Sequence, residues 1–115
     1  MLKRPSKTTN LRVKLSEELE ANRLHQALDL YEMIEKQKPH EPRWPHRRGD
    51  LLQRVGRKAD AVLAYERAVD LYAIKGFVAR AAALAKLILA IDPTKSDVLE
   101  RVYSEAHRPR QNPAA

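Results

Sequence analysis

With 115 residues, 43% of them hydrophobic, and a net charge of +7, the chain is sized for one domain with a modest core and is too apolar to be disordered throughout. No run reaches the roughly 18 consecutive apolar residues of a spanning helix, and the basic opening MLKRPSKTTN lacks the apolar centre of a secretory signal. Cysteine is absent, which excludes disulfide staples and thiolate chemistry and suits a cytoplasmic setting.

Helical periodicity dominates, and six helices are expected. The first covers about 10–20, with Leu11, Leu15 and Leu19 on one face. The second covers about 23–37, turning Leu24, Ala27, Leu28, Tyr31 and Ile34 inward, and stops before Lys38-Pro39 because a residue ahead of proline is pushed out of the helical region. The third, about 43–54, carries Pro42 and Pro45 in its opening turn, where a missing N–H costs little. The fourth spans about 58–74, entered through Gly56 and closed by Gly76. The fifth, about 77–91, is apolar nearly all round (Ala81–Ala85, Leu87–Ile91), which predicts burial between neighbours, with Phe77 wedging it against the fourth. The sixth, about 96–107, follows Asp92-Pro93, takes Ser96 or Asp97 as N-cap, and has Val98, Val102 and Tyr103 as its seam. Residues 1–9 and 108–115 are expected to be flexible tails flanking a helical domain at 10–107. Five of the positive charges sit on those ends or beside them (Lys3, Arg4, Lys7, Arg108, Arg110), leaving +2 for the rest of the chain.

Ala27 and Tyr31 recur 34 residues later as Ala61 and Tyr65. A fixed period in this range signals stacked helix pairs, and this one resembles the tetratricopeptide repeat (TPR), whose pattern runs W-x2-L-G-x2-Y, A-x3-F and a closing P. Residues 42–75 fit best through Gly49, Gly56, Ala61, Tyr65 and Ala68, with Leu52 at the usual Tyr place. Residues 8–41 keep Ala27, Tyr31, Ile34 and Pro39 behind a degenerate first helix. A third match, through Gly76, Ala81, Ile88 and Pro93, is out of phase: Ala81 follows Ala61 by only 20 residues, which places Tyr65 and Tyr72 at first-helix positions and makes the fourth helix serve two repeats. The resemblance implies an all-α, right-handed α-solenoid of antiparallel helix pairs. Residues 55–103, extended by 43–54 with the Gly49-Asp50 pair, are also similar to the TPR segments that precede cyclic-nucleotide-binding domains in certain myxobacterial and related proteobacterial proteins. These 115 residues leave no room for such a domain, so that similarity implies an adaptor role in signalling rather than nucleotide binding.

On the third helix, Arg43, Arg47, Asp50 and Arg54 fall within a stripe about 60° wide, with Trp44, Leu51 and Val55 about 100° round from it. The resemblance places a peptide groove on this face, lined by Arg43, His46, Arg47, Asp50, Gln53 and Arg54, with Trp44 as core, cap or exposed anchor. Two readings stand for the stripe: a groove for an acidic partner, or a solvated face. Arg48 occupies the usual core leucine place between Trp44 and Leu52 and is expected to snorkel, its stem packed and its head reaching solvent or an acid on a neighbouring helix.

Catalysis finds no constellation. His25, His40, His46 and His107 are scattered without metal-ligand spacing, no Gly-rich phosphate loop exists, and no nucleophile sits in an elbow. The expectation is a non-enzymatic protein-binding adaptor or scaffold with no cofactor, docking a protein or peptide. The alternatives are nucleic-acid binding through the basic 43–58 segment and tails, and a subunit that self-associates through its stack ends.

Overall fold

The computed structural model describes residues 6–108 and is all-helical there. The helices are α1 (Lys7–Glu20), α2 (Leu24–Gln37), α3 (Arg43–Arg54), α4 (Lys58–Ile74), α5 (Val78–Ile91) and α6 (Asp97–Ala106). Each packs on the next, and α4 packs on α6 as well as on α3 and α5. The result is a slab of 45 × 42 × 18 Å, about two helices thick, as expected of a solenoid-like stack.

Local chemistry explains the boundaries. Ser6 caps α1 by accepting the Thr9 N–H at 3.1 Å, so the helix starts at Lys7 and takes residues 7–9 out of the predicted tail. Residues 1–5 of that tail, and residues 109–115 of the other, lie outside the described residues. Three connections share one turn. Asn22, Gly56 and Gly76 have positive φ of 58°, 85° and 85°. The next N–H (Arg23, Arg57, Phe77) bonds back to the carbonyl of Glu18, Leu52 or Tyr72, each at 2.9 Å, in the Schellman manner. The other two connections run through Pro39 and Pro93, where the Lys38 and Asp92 N–H groups close the helices on Ile34 and Ile88. Helix α4 is therefore bounded at both ends by the turn type that joins α1 to α2. Together with its packing on three helices, this matches a helix shared between two pairs.

The core runs through the slab without a break. Ala27, Ala61, Ala68, Ala81 and Ala85 are fully buried where helices approach closely, and Tyr31, Trp44, Tyr65 and Tyr72 fill the space beside them. A side chain added at Gly49 would place its Cβ 2.6 Å from the Tyr65 ring, so glycine here serves close approach of α3 to α4.

Two expectations for the C-terminal helices need correction. Helix α5 is one-sided: Ala81, Leu84, Ala85 and Ile88 are buried, while Ala79, Arg80, Ala83, Lys86 and Ala90 are exposed. Alanine reads as apolar in a sequence, but its surface is small enough to face water at little cost. In α6 the seam is Val98, Leu99 and Val102, and Tyr103 points outward, 47% exposed. Ser96 holds the N-cap position without a side-chain bond to the helix. The turn before it is held by Asp92, whose Oδ1 accepts from the Thr94 N–H and hydroxyl at 3.1 and 2.6 Å, keeping that carboxyl below its ordinary pKa. Phe77 is half-exposed, meeting Tyr72 edge-to-face at 6.4 Å with the Arg80 guanidinium over its ring.

Candidate partner-binding face

Helix α3 distributes its polar residues in three directions. Toward α2 points Arg48, whose guanidinium forks onto Glu35 through Nε and through Nη2 at 3.3 Å. Glu35 is 7% exposed, the one buried charged residue among the described residues, and Arg67 of α4 also approaches it at 3.7 Å. Of the two destinations expected for the Arg48 head, solvent or a neighbouring acid, the structure shows the acid, and the network ties α2, α3 and α4 together.

Toward α4 point His46, Gly49, Asp50 and Gln53. The Tyr65 hydroxyl donates to Asp50 Oδ1 at 2.6 Å and lies 3.0 Å from the Gln53 side-chain amide. His46 Nδ1 meets the Tyr72 hydroxyl at 2.9 Å, and its ring stands edgewise to Tyr65 and Tyr72. His46 and Gln53, expected as groove residues, are thus engaged with the tyrosines of α4. Burial raises the pKa of Tyr31, Tyr65 and Tyr72, and for Tyr65 the hydrogen bond to Asp50 adds to the rise. A tyrosine with a raised folded pKa keeps its proton when the unfolded chain would lose it. Stability should therefore be intact below about pH 10 and fall as pH climbs beyond it. A thermal series from pH 8 to 11 checks this; a midpoint flat across that range would contradict it.

Outward point Arg43, Arg47 and Arg54, and Asp50 stands exposed beside them while its Oδ1 accepts from Tyr65. Arg47, Asp50 and Arg54 line a cleft of about 210 Å³ with Leu19 of α1, Tyr31 of α2 and Leu51, giving an apolar floor between basic walls. Arg47 and Arg54 are two helical turns apart, about 10 Å along the axis. Among the described residues no carboxylate lies within 4.0 Å of Arg12, Arg47, Arg54 or Arg80.

Trp44 is 1% exposed, which removes it from the set of groove contacts. Its ring packs at a tilt on Tyr31, 6.5 Å between centroids, and its Nε1–H donates to Glu41 Oε2 at 2.8 Å. That bond, then the charge of Arg43, holds the Glu41 carboxyl below its ordinary pKa. Three guanidinium carbons cover the ring: Arg43 at 4.8 Å from the centroid, and Arg12 and Arg47 each at 5.4 Å. Burial of the indole is thus completed by cations, through cation–π stacking.

Helical spacing groups Arg43, Arg47 and Arg54, whereas Arg12, Leu19 and Glu41 join the site only in the folded structure. Arg12 and Leu19 reach the site from α1, across the stack, and no local pattern announces that. Glu41 was accessible, since it stands three residues before Trp44 and just ahead of the helix. No protein-family model, curated protein or solved structure shows a significant match to this chain.

Proposed function

We propose that this chain is a non-catalytic docking module of the tetratricopeptide type, whose outward α3 face receives an acidic segment of a partner protein. The observation that carries this reading is the cleft: Arg47 and Arg54, each without a carboxylate within 4.0 Å, stand with Asp50 around an apolar floor of Leu19, Tyr31 and Leu51. Arginine satisfies a carboxylate with two parallel donors, and the apolar floor gives a partner side chain somewhere to bury. A phosphodiester backbone would gain from the arginines but has nothing to place on that floor. The elements that line the cleft are regular helices, a rigid setting for recognition.

The test is capture from native lysate with wild type and an Arg43→Glu/Arg47→Glu/Arg54→Glu variant matched by circular dichroism, followed by titration of the protein recovered. The variant should bind that partner at least tenfold more weakly, roughly 1.4 kcal/mol or more. Equal affinity would reduce the stripe to solvated surface. Recovery of nucleic acid, with affinity falling steeply as salt rises, would replace this reading with the nucleic-acid one.

A further inference from the structure

Arginines from α1 and α3 crowd over Trp44. Three guanidiniums from two helices converge on one ring within 5.4 Å, so any two of them lie within about 11 Å of each other by geometry. Arg43 is also the first residue of α3, at the positive end of the helix macrodipole, where anions are favoured and cations are not. The first turn of α3 contains no acid. Near the cluster, Glu41 offsets only part of the charge: it pairs with Arg43 at 3.2 Å while accepting the indole N–H through the same oxygen.

Stacking fixes these groups without consuming their donors. A guanidinium lying on an aromatic face keeps its N–H edge free, and each arginine carries five N–H groups. The ring beneath is packed on Tyr31 and bonded to Glu41. Arg12 and Arg47, without a carboxylate within 4.0 Å, and Arg43, engaged by Glu41 through Nε and Nη2 alone, form a preorganised set of donors beside the cleft and continuous with it through Arg47.

Building on the docking reading above, we propose that Arg12, Arg43 and Arg47 form a seat for a phosphoryl group carried by a serine or threonine of the docked segment. A phosphoryl group brings a charge of about −1.5 to −2 and three acceptor oxygens, enough to engage more than one guanidinium, whereas a carboxylate brings one charge and two oxygens. The chain's own ends carry Lys3, Arg4 and Arg110, the wrong sign to occupy the seat. Docking is then gated by phosphorylation of the partner, not by a change in this chain.

Trp44 is the single tryptophan of the chain, so its emission reports on the seat directly. Degenerate peptide libraries with a central phosphoserine, serine or glutamate would be titrated onto the full chain at fixed ionic strength, alongside inorganic phosphate and sodium chloride. The phosphoserine library should bind at least about tenfold more tightly than the other two, with a change in Trp44 emission. Arg12→Gln/Arg47→Gln should erase that preference while leaving the folded signal in circular dichroism. Arg54→Gln, outside the seat, should weaken all three libraries and keep the preference. Equal binding of the three libraries would overturn the phosphoryl seat and leave the docking reading standing. Binding of inorganic phosphate without preference among the libraries would make the seat one for a free anion and overturn the proposal. Failure of every library to bind would sink the docking reading and the seat together.

Discussion

Gly49→Ala should destabilise the fold by about 2–3 kcal/mol, lowering the thermal midpoint by roughly 10 °C. The sign is the informative part. In an exposed helix interior the same change stabilises by about 1 kcal/mol, because alanine has the better helix propensity. Here the new Cβ would stand 2.6 Å from Cδ1 and Cε1 of Tyr65. That ring is fully buried, and its hydroxyl is anchored on Asp50, so it has no room to withdraw. Thermal and urea denaturation followed by circular dichroism measure the effect. A double-mutant cycle assigns it: in a Tyr65→Ala background the clash is gone, and Gly49→Ala should become neutral or favourable. A loss of the same size in both backgrounds would show that the clash with Tyr65 is not the cause.

Glu35→Ala should cost about 3 kcal/mol. Glu35 is buried and faces the guanidiniums of Arg48 and Arg67, and its removal leaves Arg48, only 19% exposed at the side chain, without its main counter-charge. Arg67 suffers less, since it also donates to the Pro39 carbonyl at 3.1 Å and is half in water. Arg48 occupies a position where a leucine would pack between α2 and α3, so the pair is replaceable as a unit. Glu35→Met/Arg48→Leu should restore stability to within about 1 kcal/mol of wild type, because the double change removes both desolvation costs along with the attraction. If the single variant loses less than about 1 kcal/mol, water reaches the network and the ion pair contributes little.

The helices were legible because their signals are local. Every helix predicted is present, with boundaries within three residues, since prolines, glycines and apolar spacing act on the chain within a turn or two. The 34-residue recurrence marked positions that prove buried: Ala27, Tyr31, Ala61 and Tyr65. The same spacing also joins Asn22 to Gly56, which went unread because asparagine does not announce a left-handed residue as glycine does. The candidate face was legible only along α3. Arg43, Arg47 and Arg54 could be aligned by helical geometry, but their separation into a Trp44-stacked group and a cleft wall could not.

Trp44 shows why. Its position in the sequence fitted core, cap or surface anchor alike, and packing chose the first by laying Tyr31 on one side and arginines from α1 and α3 elsewhere on the ring. Helix α5 shows the converse, since its near-continuous apolar run predicted burial on several sides and the stack covers it on one. Helix type, helix ends and the small residues at close approaches follow from interactions spanning a few residues, so they are written in the chain itself. Which faces remain exposed, and which charges from distant helices meet around one indole, depends on how six helices share a slab 18 Å thick. Those outcomes rest on contacts between residues tens of positions apart, and they exist only once the helices have packed.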